Sequence, residues 1–196
     1  MRKLSGLLVA GAVAAVSFLA APPASALAEQ APAAPPAPKV RTDVVVPSFD
    51  GTPIHTNFFP ALGLQAGEKA PTVMVGPGFG LPGSRIPSTG TSTLIGSIGI
   101  APLREAGYNV VTWDPRGFGL SGGEAYVNNP AFEGRDGQVL IDFIAQQPEA
   151  ELDAPGDPVL GMAGASYGGG IQFVLASLDQ RVDAIAPTIA WNNLTT

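Results

Sequence analysis

Two segments of the sequence have the pattern Gly-x-Ser-x-Gly, which surrounds an activated serine when a strand, a tight turn and a helix follow one another. Gly119–Gly123 lies in a loop, five residues beyond an apolar run, and no helical pattern follows it. Gly164–Gly168 directly follows the apolar residues 159–163 and directly precedes a helical pattern. The context therefore predicts Ser166 as a nucleophile, and the alternative is a tight strand-to-helix turn without chemistry.

The small residues beside Ser166 have a steric purpose in such a turn. A side chain larger than hydrogen at Gly164 or Gly168 would collide with the adjoining strand and helix. Acyl transfer also needs two N–H groups aimed at the oxygen that becomes negative, one after the nucleophile and one from an earlier loop. Tyr167 and Phe79 are the matching donors, and the alternative for residues 75–80 is an ordinary turn at a strand end.

Two further glycine patterns suggest a different chemistry. Residues 78–83 and 117–122 both match Gly-x-Gly-x-x-Gly after a strand, as a dinucleotide-binding loop would. Neither opens a helix, so a pyrophosphate would lack the N–H groups and the dipole of a helix N-terminus. A dinucleotide-binding domain is therefore the less favoured interpretation, and we expect no cofactor. In the loop after residue 113, Asp114 and Arg116 are expected to pair with each other or with the backbone.

Composition excludes several other classes. The 196 residues carry 16 acidic and 10 basic side chains, a net charge of -6, so a nucleic-acid partner is disfavoured. There is no cysteine and one histidine, His55, which excludes a thiolate nucleophile and a cysteine- or histidine-rich metal site. We expect no metal, and His55 is interpreted as a half-exposed strand residue.

The elements that must position Ser166 follow from short apolar runs. Residues 44–46 and 54–59 flank Asp50-Gly51, a hairpin signal, and predict an antiparallel opening pair. Further strands are predicted in the segments 72–75, 109–113, 158–163 and 184–189, and helices in 92–106, 135–147 and 169–177. Buried strands that alternate with helices predict an α/β class with a mostly parallel sheet covered on both faces.

The N-terminal residues have the features of a targeting segment. Arg2 and Lys3 precede an uncharged apolar stretch, and Ala24-Ser25-Ala26 offers a cleavage site, so residues 1–28 are predicted to be a signal peptide. Residues 29–39 form a Pro/Ala-rich linker, and 40–196 the folded domain. We expect a secreted or cell-envelope protein with no stable membrane anchor after cleavage.

The order of these motifs resembles a known family. Residues 108–123, the segment 164–169 and residues 185–187 together resemble an α/β-hydrolase, closest to the X-Pro dipeptidyl-peptidase and cocaine-esterase-like branch. The resemblance implies a Ser-Asp-His triad in that chain order and a small ester or X-Pro peptide substrate. Members such as the cocaine esterases have a tyrosine in the first loop, whereas this sequence has Phe79, so only its backbone N–H could serve.

The triad that the resemblance implies is incomplete. The only carboxylates after Ser166 are Asp179 and Asp183, and no histidine follows. We therefore expect the chain to be the N-terminal part of a serine hydrolase, truncated after the sixth strand and inactive by itself. The competing interpretation is a non-catalytic fragment or binding protein that retains the turn at Ser166 as scaffold.

Overall fold

The structure is a computed structural model that describes residues 36–92 and 98–191. The predicted signal peptide and most of the predicted linker lie outside these residues. Within the described part of the chain, no helix is both long and apolar enough to cross a membrane.

Strands and helices alternate along the chain, as the apolar runs predict. In chain order the elements are β1 (Arg41–Pro47), β2 (Pro53–Phe59), β3 (Thr72–Gly76), α1 (Ile100–Glu105), β4 (Asn109–Trp113), α2 (Glu133–Ala145), β5 (Leu152–Ala154), β6 (Asp157–Pro158), β7 (Leu160–Ala165), α3 (Tyr167–Leu178) and β8 (Ala184–Thr188).

Six of the strands form one sheet in the order β1-β2-β4-β3-β7-β8. The first two pair as an antiparallel hairpin, and β2 pairs antiparallel with β4. From β4 onward the neighbours are parallel, with Val73 of β3 opposite both Val110 of β4 and Gly161 of β7. This confirms the predicted α/β class with an antiparallel start and a mostly parallel remainder.

The two faces of the sheet are covered unequally. Helices α2 and α3 pack on one face, over a large apolar core that includes Phe58, Met74, Leu140 and Leu175. On the other face α1 contributes to a smaller core, which consists of Phe59, Val73, Ile100, Leu103, Val110 and Ala163. Because β4, β3 and β7 are parallel neighbours, their carboxyl ends lie at the same end of the sheet.

The observed elements differ from the predicted ones at several boundaries, including both ends of α2 and of β7. Helix α3 begins at Tyr167 rather than at Gly169, and Gly168 in its first turn packs closely against Gly76 of β3. Helix α1 starts at Ile100, and the predicted residues 93–97 lie outside the described chain. The short hairpin of β5 and β6 was not predicted, since three- and two-residue strands carry no periodic signal.

Candidate active site

Ser166 lies at the junction between β7 and α3, where the chain reverses direction. Its backbone has φ 56° and ψ −116°, a region that non-glycine residues rarely adopt and that costs about 1–3 kcal/mol. Its N–H donates to the carbonyl of Thr188 at 2.9 Å, and its own carbonyl accepts from Gly169 and Gly170 N–H, each at 2.9 Å. The turn is therefore held from the neighbouring strand and from the first turn of the helix.

Three glycines from two strands and a helix meet beneath this serine. Gly164 has φ +146°, and a Cβ there would lie 2.7 Å from the carbonyl oxygen of Gly76, at the end of β3. A Cβ on Gly168 would overlap the same oxygen. The close approach of α3 to β3 thus depends on hydrogen at all three positions. Sequence reasoning missed Gly76, because its role depends on the register of β3 against β7.

The two amides expected to stabilise an oxyanion come from segments that lie side by side. The rings of Phe79 and Tyr167 have centroids 5.4 Å apart, and Phe118 lies 5.1 Å from Phe79 and 5.4 Å from Tyr167. Neither the Phe79 nor the Tyr167 N–H donates a hydrogen bond among the described residues. Both amides are thus available to an acceptor.

The side chains of these two residues have opposite environments. Phe79 is 64% exposed, whereas Tyr167 is 2% exposed. Burial raises the pKa of the Tyr167 phenol above its usual range, and the nearby Glu133 carboxylate adds to the rise. The Tyr167 side chain therefore stays a neutral hydroxyl that can both donate and accept.

The loop after β4 contains two separate ion-pair systems. The Asp114 carboxylate, fully buried, accepts from the N–H of Gly83 at 2.9 Å and of Leu120 at 2.8 Å, and from Arg85 at 2.8 Å. The expectation that Asp114 pairs with the backbone is confirmed. The alternative pairing with Arg116 is wrong, because Asp114 pairs instead with Arg85, which lies in the loop before α1.

Arg116 turns instead toward α2 and the β1–β2 turn. It bonds Asp136 at 2.7 and 2.8 Å and Asp50 at 2.9 Å. The Asp136 hydrogen bonds raise the pKa of Arg116, and the Arg116 guanidinium holds the pKa of Asp50 well below its usual range. The network ties the β4 loop to α2 and to the turn between β1 and β2.

The second serine of the same pattern has its hydroxyl occupied. Ser121 Oγ donates to the carbonyl of Asp114 at 2.7 Å and accepts from the N–H of His55 at 2.9 Å. Its backbone lies in a loop, without a helix after it. Both partners are backbone groups, so Ser121 closes the loop onto β2.

Among the residues that the structure describes, His55, Asp179 and Asp183 all lie away from Ser166. His55 lies on β2, three positions from β7 in the sheet, which is roughly 14 Å at the usual strand spacing. Asp183 accepts from the N–H of Leu160 at 2.7 Å, at the start of β7, and Asp179 pairs with Arg181 beyond the far end of α3. Within the described residues no group of three or more His, Cys, Asp or Glu could hold a metal ion.

A largely apolar cavity of about 210 Å³ opens next to the turn at Ser166. Gly76, Gly78 and Leu81 line it from the loop after β3, and Ala165 lines it from the end of β7. It has room for a small apolar group within reach of the Phe79 loop.

The sequence pattern of one protein family covers this whole region. The family described as X-Pro dipeptidyl-peptidase (S15 family) matches residues 50–196. An uncharacterized 31.7 kDa protein from the traX-finO intergenic region of Escherichia coli is 36% identical over 87 residues, 44% of this chain and 29% of that protein.

Solved structures share the fold at low sequence identity. The α/β hydrolase GrgF from Penicillium sp. sh18 superposes with a TM-score of 0.55 at 21% identity, over 76% of this chain and 46% of GrgF. A CocE/NonD family hydrolase from Staphylococcus aureus superposes with a TM-score of 0.57 at 22% identity, over 74% of this chain and 26% of that hydrolase. An acetyl xylan esterase from Paenibacillus sp. R4 superposes with a TM-score of 0.51 at 22% identity, over 73% of this chain and 46% of the esterase. The chain thus spans less than half the length of each of these proteins.

Proposed function

Since the chain belongs to the X-Pro dipeptidyl-peptidase (S15) family and has the α/β-hydrolase fold, we propose that Ser166 is the nucleophile of a serine hydrolase. The observation that supports this most directly is the positive φ of Ser166 at a strand-to-helix turn packed on three glycines. Strain of this kind is retained where the surrounding structure over-determines it, and here it holds the serine at the end of a buried strand.

The proposed reaction is cleavage of an ester or an X-Pro peptide bond through an acyl-enzyme. Ser166 Oγ attacks the carbonyl carbon while an imidazole accepts its proton, and the resulting oxyanion accepts hydrogen bonds from the Tyr167 and Phe79 N–H groups. Collapse expels the alcohol or amine, which takes that proton. Water then attacks the acyl carbon while the imidazole accepts a proton from the water. The imidazole returns this proton to Ser166 Oγ as the ester bond breaks, which releases the acid and free Ser166.

The acid and the imidazole of the proposed triad do not come from the described residues around Ser166. His55 is too distant, and Asp179 and Asp183 lie at the wrong ends of their elements. We propose that both groups belong to sequence outside these 196 residues, in what we term the complete protein. The coverage of 46% of GrgF and 29% of the Escherichia coli relative supports this.

Labelling with a fluorophosphonate tests the assignment, because the reagent modifies only an activated serine. We expect the complete protein to be labelled and the 196-residue chain to stay unlabelled. Ser166→Ala should lower the labelling rate by at least about 10³-fold, whereas Ser121→Ala should leave it unchanged. Labelling that survives Ser166→Ala and disappears in Ser121→Ala would overturn the proposal. A non-catalytic chain that uses the turn as scaffold would leave both proteins unlabelled.

Export is a separate proposal that rests on Arg2, Lys3 and the apolar stretch after them. Cleavage after Ala26 or Ala28 would remove the two basic residues. Intact mass spectrometry of extracellular material should show the shortened chain. An extracellular protein that retains Met1 would contradict cleavage.

A further inference from the structure

A buried carboxylate lies behind the turn at Ser166. Glu133, 4% exposed in the first turn of α2, accepts a hydrogen bond from the Tyr167 hydroxyl at 2.9 Å. It also accepts from the N–H groups of Tyr126 and of Asn129, the latter at 3.1 Å. One side chain therefore joins α2, the loop before it and the residue after Ser166.

Asn128, in that loop, holds Tyr167 at two further points. Its backbone N–H donates to the Tyr167 hydroxyl at 3.1 Å, and its side-chain amide donates to the Tyr167 carbonyl at 2.9 Å. Tyr167 is thus fixed at its backbone and at the far end of its ring. The Tyr167 N–H belongs to the preceding peptide, which shares the Tyr167 Cα with this carbonyl, so both contacts restrain its direction through that atom.

The loop that makes these contacts is itself strained. Val127 and Asn128 both have positive φ, at 57° and 58°, and for a β-branched residue such as valine this is a genuine outlier. Glu133 accepts hydrogen bonds from the residues on either side of this pair, Tyr126 and Asn129. Strained backbone of this kind clusters at functional sites.

We propose that Glu133 and Asn128 are positioning residues, which orient the Tyr167 peptide so that its N–H points at the oxyanion. The inference rests on the proposed function, since it requires Ser166 to form a tetrahedral intermediate. Glu133 and Asn128 act only through Tyr167. Because preorganised donors act through their direction, a small rotation of this peptide lowers the reaction rate without weakening substrate binding.

The test uses the complete protein with the substitutions Glu133→Gln and Tyr167→Phe. The first replaces a carboxylate oxygen by an NH₂ group that would face one of the N–H donors, and the second removes the hydroxyl that both Glu133 and Asn128 contact. The measured quantities are kcat and KM for an oxygen ester and for the matching thionoester. Sulfur is larger and a weaker acceptor, so the preference for the oxygen ester reports the fit of the oxyanion donors.

Glu149→Gln is the matched control for the loss of a buried carboxylate. Glu149 is 3% exposed and accepts from Arg41 and from the Lys39 N–H. The Glu149 carbonyl accepts from the side chain of Asn109, at the start of β4. Glu149 therefore lies at the amino end of the parallel strands, opposite the end at which Ser166 lies. This variant should lower the melting temperature and leave the oxygen-to-sulfur preference unchanged.

We expect Glu133→Gln and Tyr167→Phe to lower kcat for the oxygen ester roughly ten-fold or more, with KM within about two-fold, and to reduce the oxygen-to-sulfur preference. A lowered melting temperature with an unchanged preference would overturn the positioning role. If Glu133→Gln does not fold, Tyr167→Phe decides by itself. Full activity in Ser166→Ala would instead overturn the proposed function, so the two failures are distinguishable.

Discussion

The chain has two Gly-x-Ser-x-Gly segments whose backbones place their serines in opposite situations. Ser166 has φ 56° at the start of a helix, whereas Ser121 lies in a loop and bonds two backbone groups. The glycines differ as well. Gly164 and Gly168 allow two elements to approach through the backbone, while Gly119 makes room for the carboxylate of Asp114.

The difference teaches that the five-residue pattern does not determine the role of its serine. In one segment the glycines lie between a strand and a helix, whereas in the other Gly119 lies against the buried Asp114 carboxylate. The elements before and after the pattern decide which situation arises. Three substitutions test this contrast through stability, in order of decreasing effect.

The largest effect is expected for Gly168→Ala. The new methyl group would overlap the carbonyl oxygen of Gly76, a backbone atom that cannot rotate away, so α3 must separate from β3. We expect a loss of unfolding free energy of about 3 kcal/mol or more, measured by urea denaturation.

Gly123→Ala is the control from the other segment. Its Cβ would lie 3.2 Å from the Thr52 methyl group, at φ +76°, and should cost only about 1–2 kcal/mol. Equal losses in the two variants would contradict the contrast between a backbone contact and a loop.

The second effect concerns Asp114→Ala. The substitution leaves the N–H groups of Gly83 and Leu120 and the Arg85 guanidinium without their buried acceptor. We expect about 3 kcal/mol of destabilisation, measured by the same denaturation, since each buried N–H group left without an acceptor costs about 1–3 kcal/mol. Arg85 keeps its ion pair with Asp43.

Asp142→Ala provides the exposed comparison. Asp142 pairs with Arg181 at 2.7 Å, but its side chain is 58% exposed. Its removal should change stability by less than about 0.5 kcal/mol. A loss of similar size in both variants would show that burial is not what makes Asp114 important.

The smallest effect is expected in the pH dependence of stability. It concerns the ion pair between Asp50 and Arg116, which ties the loop that contains Ser121 to the turn between β1 and β2. Arg116 lowers the pKa of Asp50 in the folded state, so this pair stabilises the fold above the unfolded carboxyl pKa, about 4. The contribution is lost as the pH falls through the depressed folded pKa. Asp50→Asn should therefore reduce the loss of stability between about pH 5 and pH 2, by less than about 1 kcal/mol for this partly exposed pair.

Urea midpoints across that pH range provide the measurement. Gln146→Ala, an exposed and neutral position at the end of α2, should keep the full acid dependence of the parent. An unchanged pH profile in Asp50→Asn would show that the pair contributes nothing to acid stability.

The sequence predicts those parts of the fold that local patterns determine. The run at residues 109–113 matches β4, and Asp50-Gly51 correctly indicates the turn between β1 and β2. These signals work because strand burial and turn geometry depend on a few adjacent residues. The context of Ser166 is equally local, and its catalytic role stays a prediction.

The contacts that hold the site could not be predicted in the same way. Arg85 and Asp114 are 29 positions apart, and Glu133 is 34 positions from Tyr167. No periodic or motif signal joins residues at such separations. The parallel pairing of β3 with β4 brings Arg85 to Asp114, and the packing of α2 and α3 on the sheet brings Glu133 to Tyr167. The same holds for Gly76, which needs the parallel register of two strands.

The mutual contact of Gly76, Gly164 and Gly168 has an evolutionary consequence. A methyl group added to Gly164 or to Gly168 points at the same carbonyl oxygen, so substitutions there are not independent. Once one of them has forced α3 away from β3, a second should cost less than it would alone. The three positions therefore form a coupled unit, in which a first substitution should cost more than the same substitution made after another.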